Sequence, residues 1–122
     1  MDDDKGIREL AGEILQHLGY RVEFAADGAE AVASYQEALK SSEPFDAVIL
    51  DLTLRGGMGG KEAIQKLIAI DPDGKGIVSS GYSEDPGITG YEEHGFKGVV
   101  AKPYSLEELG EKLSRVLLGK PK

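Results

Sequence analysis

The sequence predicts an α/β domain, a doubly wound parallel sheet with helices on both faces. Three observations predict it. Short apolar runs alternate with longer stretches whose apolar residues recur at helical spacing. Turn residues punctuate the junctions. One run, Ala47-Val48-Ile49-Leu50, is apolar throughout, the pattern of a strand buried on both faces. Strands separated by helices imply parallel pairing and crossover connections.

Each element has its own signal. Gly6 to Leu18 predicts a helix, with Ile7, Leu10, Ala11, Ile14, Leu15 and Leu18 on one stripe and Gly19 as its stop. Arg21 to Ala25 is short and partly alternating, which predicts a strand. Asp27-Gly28 forms a turn, and Asp27 can cap a helix from about Ala29 to Lys40. Ser41 to Pro44 breaks that helix. The apolar run then ends in Asp51, and a glycine-rich loop spans Gly56 to Gly60. A helix follows over Lys61 to Ile70, then a strand over Gly76 to Ser80 and a loop over Gly81 to Pro86. Gly87 to His94 has at best a weak helical pattern, weakened by Gly87 and Gly90. Gly98 to Ala101 predicts the last strand, ended by Lys102-Pro103. Ser105-Leu106-Glu107-Glu108 is a capping box opening a helix that runs to Leu118. Residues 1–118 form the domain, and residues 119–122 read as a tail or linker.

The 122 residues suit one compact domain. No apolar run approaches a membrane span, and the N-terminus lacks a signal-peptide layout. Cysteine is absent, which excludes disulfides and thiolate metal ligation and suits a reducing cytoplasm. A net charge of −8 would repel a nucleic-acid backbone, so direct binding to DNA or RNA is not expected.

In a fold of this class ligands sit at the C-terminal ends of the strands. Asp51, Ser80 and Lys102 stand at three such ends, and Asp2-Asp3-Asp4 precedes the first helix. Carboxylate oxygens suit a hard cation such as Mg²⁺. A lysine and a cation can together neutralise a phosphoryl group in transfer, and a hydroxyl adds a hydrogen bond. An aspartate can itself be the nucleophile and form an acyl phosphate.

The order Asp2-Asp3, Asp51, Ser80-Gly81, Lys102-Pro103 resembles the receiver domains of bacterial response regulators and hybrid histidine kinases. "DLTLRGGMGG", "VSSGYS" and "VVAKPYSLEEL" are similar to receivers attached to hybrid kinases. The resemblance covers nearly the whole chain and implies a flavodoxin-like sheet and a phosphorelay role. It implies that Asp51 is the phosphoacceptor. Asp2, Asp3, Asp51 and the Thr53 carbonyl would hold Mg²⁺ or Mn²⁺, Ser80 would bond the phosphoryl group and reorient, and Lys102 would pair with it. The Lys102-Pro103 bond would be cis. The implied partner is a histidine kinase or a histidine-phosphotransfer domain.

The sequence departs from the family in places. Arg55 replaces the usual proline after the acceptor, Val99 replaces a common aromatic, and only Met1 precedes the acidic pair where a hydrophobic first strand is usual. That strand would lie at the sheet centre. Its absence predicts that Arg21 to Ala25 shifts across to pair with Ala47 to Leu50, that subunits exchange elements in a homodimer, or that the chain is a piece that needs its missing residues; rearrangement or exchange is expected over a monomer with an open gap.

Other readings of these residues are blander. Asp51 could cap a turn, Asp2 to Asp4 could be a frayed acidic terminus or a protease-tag remnant, and Ser80 and Lys102 could be ordinary surface groups. Gly56 to Gly60 is not a nucleotide loop, since Glu62 stands where Ser or Thr would follow Lys61. His94 lacks the helical setting of a phosphohistidine, and His17 reads as an exposed helix residue. Two other functions compete: a pseudo-receiver that binds partners without phosphorylation, and an aspartyl-phosphate phosphatase. Thr53 argues against the latter, because such phosphatases place a second aspartate there. A receiver is not itself a turnover enzyme, although it can belong to a hybrid kinase.

Overall fold

The computed structural model describes residues 1–41, 43–52, 59–80, 91–101 and 104–118, without the side chains of Ser80, Tyr91, Glu93, Ala101 and Leu118. Within them the chain forms α1 (Lys5–His17), α2 (Gly28–Lys40), β1 (Val48–Asp51), α3 (Gly60–Ile70), β2 (Gly76–Ser80), a 3₁₀ turn (Tyr91–His94), β3 (Gly98–Ala101) and α4 (Leu106–Leu118).

Local chemistry sets the helix starts. Asp4 accepts from the Gly6 and Ile7 amides and so caps α1. Asp27 accepts from the Glu30 amide at 2.9 Å and caps α2. Ser105 Oγ accepts from the Glu108 amide at 3.1 Å ahead of α4. After α1 the chain turns at Gly19, whose φ of 96° suits glycine.

The strands pair in parallel in the order β1-β2-β3, with Leu50 beside Val78 and Val78 beside Val99. Successive side chains point to opposite faces. On one face Leu50, Leu52, Val78 and Phe96 pack with Ala63, Ile64 and Leu67 of α3 and Tyr35 of α2. On the other, Ile77 and Val100 pack with Leu109, Leu113 and Val116 of α4, and Ile14 and Leu15 of α1 close the edge. A buried aliphatic side chain contributes about 1.5–3 kcal/mol, so the two layers hold the sheet between them. This is the α/β, flavodoxin-like class that the sequence predicts.

One predicted element is corrected. Residues 21–25 are not a strand, since Met1 and Asp2 stand between the end of this segment and β1 and take the backbone bonds on both sides. The Met1 amino group donates to the Ile49 carbonyl at 2.6 Å, the Asp51 amide donates to the Met1 carbonyl at 3.0 Å, and the Asp2 amide donates to the Ala25 carbonyl at 3.1 Å. These bonds hold the two flanks apart at one end, so residues 21–25 do not cross over to pair with β1. The rearranged sheet is therefore not what the chain adopts. Among the described residues the sheet order is β1-β2-β3.

Candidate functional site

Three carboxylates meet at the C-terminal end of β1. One oxygen each from Asp2, Asp3 and Asp51 lies within 4.8 Å of the others. Asp51 is the last residue of β1 and follows Leu50, whose side chain is fully buried and anchors the strand. Asp2 reaches the site because its amide bonds to Ala25 and the Met1 carbonyl bonds to Asp51. Asp2 is 4 % exposed and Asp51 6 %, whereas Asp3 lies open to solvent. Burial separates this group from an ordinary acidic surface, since carboxylates are rarely buried without partners.

The acidic run divides by role. Asp2 Oδ1 accepts from the Asp4 amide at 2.9 Å, which fixes its carboxylate. Asp4 faces away and caps α1. The frayed-terminus reading therefore fails for Asp2 and Asp4, and the helix-end reading holds for Asp4.

The donor set is hard oxygen throughout, and two of its members are buried. Oxygens at this spacing can share one divalent cation, directly at about 2.0–2.1 Å for Mg²⁺ or through retained water. Asp2, Asp3 and Asp51 thus fit such an ion on their own chemistry.

The remaining predicted residues divide. Ser80 ends β2 beside Ala101, the last residue of β3, so its backbone stands on the same sheet edge as Asp51. Its side chain is outside the described residues. So are Thr53, Arg55, Gly81, Lys102, Pro103 and the Lys102-Pro103 bond, as well as most of the glycine-rich loop. His94 closes a 3₁₀ turn rather than sitting within an α-helix.

Three contributors escape the sequence reading. Gly60 opens α3 directly beneath Asp51: a Cβ there would lie 2.5 Å from the Asp51 carbonyl oxygen. Arg8 Nη1 donates to the Asp2 carbonyl at 2.7 Å, tying α1 to the acidic stub. Ser79, fully buried and in register with Asp51, shares a 2.5 Å hydrogen bond with the Tyr104 hydroxyl. A glycine next to a lysine at a helix start hints at the first. The other two depend on tertiary placement and leave no local signal.

Residues 1–114 match the family described as the response regulator receiver domain. Sporulation initiation phosphotransferase F of Bacillus subtilis is 30% identical over 117 residues, covering 96% of this chain and 90% of that one. Chemotaxis protein CheY of Thermotoga maritima is 32% identical over 117 residues, covering 95% and 92%. Among solved structures, a CheY-like response regulator receiver domain protein from Methanospirillum hungatei superposes with a TM-score of 0.82 at 29% identity, covering 97% of this chain and 90% of that one.

Proposed function

The chain belongs to the response regulator receiver family, and on that premise we propose that it accepts a phosphoryl group on Asp51 with a divalent cation held by Asp2, Asp3 and Asp51. The observation that carries the reading is the convergence of those three carboxylates at the end of β1.

The chain's residues divide the work. Buried Leu50 and the Met1 carbonyl fix Asp51 at the strand end, so its carboxylate can line up with an incoming phosphorus. That oxygen forms the O–P bond as the P–N bond of a donor phosphohistidine breaks, and the imidazole leaves with the bonding pair and takes up a proton. The product is an acyl phosphate. Mg²⁺, when bound, neutralises oxygen charge on the phosphoryl group. Ser80 and Lys102 are assigned, by resemblance, to hold the phosphoryl oxygens, and the Thr53 carbonyl to complete the ligand set. The donor would be a histidine kinase or histidine-phosphotransfer domain, and phosphorylation would change which partners the domain binds. No described helix is long and apolar enough to cross a membrane. A cytoplasmic setting fits the absence of cysteine.

The test is incubation with a small phosphodonor and Mg²⁺, followed by intact mass. One phosphoryl group should add to the parent and none to Asp51→Asn, and omitting Mg²⁺ should suppress the gain. Equal labelling of Asp51→Asn would remove Asp51 as the acceptor. No labelling of the parent would favour the pseudo-receiver, and steady turnover of the donor would favour the phosphatase.

A further inference from the structure

We propose that Arg8 is a positioning residue of the cation site, orienting Asp2 and Asp3 for the ion through the Asp2 main-chain carbonyl. The inference rests on the reading of Asp2, Asp3 and Asp51 as that site. Arg8 stands near the start of α1 and is half-buried. Its Nη1 donates to the Asp2 carbonyl at 2.7 Å, and its amide donates to the Asp4 carbonyl at 3.0 Å. A single helix residue thus reaches back to the acidic run with both its backbone and its side chain.

The carbonyl it grips controls both ligands. The Asp2 carbonyl and the Asp3 amide share one rigid peptide plane. Fixing that plane fixes how the chain leaves Asp2, which is buried, and enters Asp3, which is exposed. Both residues contribute an oxygen to the group completed by Asp51. The Asp2 amide donates to the Ala25 carbonyl at 3.1 Å, which sets the plane before Asp2. Asp2 Oδ1 accepts from the Asp4 amide at 2.9 Å, which sets the side chain. Arg8 sets the plane after it. Mg²⁺ demands near-ideal octahedral geometry, so a small rotation of a ligand is felt. Groups that orient ligands without touching the ion are typically worth about tenfold or more in affinity.

Charge alone would give Arg8 the opposite effect. A guanidinium stays protonated in proteins. A fixed positive charge beside a cation site repels the ion, so removing it should tighten binding. Positioning predicts that removing it weakens binding. The two accounts differ in sign, and a role in stability alone would move affinity in neither direction. The Arg8 bond goes to a carbonyl, so it takes up no carboxylate oxygen that an ion would need.

The experiment measures the Mn²⁺ affinity of the full chain by titration calorimetry, with no phosphodonor present, and follows the thermal transition of each variant alongside. Arg8→Met keeps an apolar stem and removes the charge and the donors, and Arg8→Gln is a second neutral variant. Each should bind Mn²⁺ about tenfold more weakly than the parent while unfolding cooperatively. Arg8→Lys restores a charged donor on a flexible stem and should bind within about threefold of the parent. Parent affinity or tighter binding in a folded neutral variant would overturn the proposal. Loss of the cooperative transition in both neutral variants would overturn it too, by making Arg8 a residue of the fold. The site itself is judged separately. A parent that binds no Mn²⁺, or binds it as well after Asp51→Ala, would sink the cation reading and this proposal together. A parent whose binding falls with Asp51→Ala but not with Arg8→Met would sink this proposal alone.

Discussion

At the scale of single residues, glycines beside the sheet and helices meet neighbours that differ in how far they can yield. A methyl group at Gly60 would meet the Asp51 backbone oxygen at 2.5 Å, and backbone cannot step aside as a side chain can. Gly60→Ala should therefore cost about 1–3 kcal/mol, the usual range for overpacking, and shift the urea midpoint down. Gly12 makes the instructive contrast. A Cβ there also meets an atom at 2.5 Å, but that atom is the ring end of Phe24, which is 52% exposed and can swing out. Gly12→Ala should be near neutral or stabilising, since alanine in a helix interior is worth about 1 kcal/mol over glycine. If both substitutions cost alike, the distinction between yielding and unyielding neighbours fails. Asp51 was legible in the sequence because an apolar run delivers it to a strand end. The meeting of Asp2 and Asp3 with a residue almost fifty positions away was legible only through family resemblance, because no local pattern encodes a tertiary approach. Arg8 and Tyr104 were not legible at all, since each acts through a partner chosen by the packing of helices.

At the scale of elements, most boundaries could be read from caps and periodicity, and they fall within a residue of the expectation. Gly76–Ser80 and Gly98–Ala101 match their predicted bounds, because turn residues bracket them. Residues 21–25 fail as a strand because strand status belongs to a pair, and the sequence of one segment cannot state what lies beside it. Helix ends are set locally and can be tested locally. Asp4→Ala should destabilise the protein by about 1 kcal/mol through loss of the α1 cap, yet leave Mn²⁺ affinity unchanged. Asp3→Ala should do the reverse, weakening Mn²⁺ with little effect on the thermal midpoint. A drop in Mn²⁺ affinity on removing Asp4 would put it among the ligands. A second tie joins α2 to the end of α3: the Tyr35 hydroxyl donates to Asp71 at 2.6 Å. Burial, and then this bond and the charge of Asp71, hold the phenol well above its usual range. A phenol whose pKa rises on folding stabilises the native state fully below its unfolded pKa of about 10 and loses that contribution as pH climbs above it. Chemical denaturation above pH 10 should therefore show a steep loss of stability that Tyr35→Phe lacks. At pH 7 the same variant should cost about 1.5 kcal/mol, the low end for a bond to a charged group. A Tyr35→Phe protein with the parent's alkaline slope would reassign that slope to other groups.

At the scale of the whole molecule, the C-terminal end of the sheet concentrates negative charge. That end gathers three carboxylates, two of them buried. Stability should then depend on what binds there. A cation taken by the folded state and not by the unfolded chain stabilises by mass action, about 2.7 kcal/mol at a hundredfold excess over its dissociation constant. For a domain of this size each kcal/mol raises the thermal midpoint by about 4 °C, so saturating Mg²⁺ should lift it by roughly 10 °C. The rise should follow the logarithm of Mg²⁺ concentration. It should persist against NaCl at matched ionic strength, because simple screening of a −8 surface treats all ions alike. Asp51→Ala should flatten the response and also raise the midpoint without Mg²⁺, because one of three crowded carboxylates is gone and the repulsion among them falls. If NaCl reproduces the Mg²⁺ curve, the carboxylates stabilise only through general screening and no specific site exists. If instead Asp51→Ala keeps the full response, the cation is held elsewhere on the acidic surface, and the convergence of Asp2, Asp3 and Asp51 is a feature of folding alone.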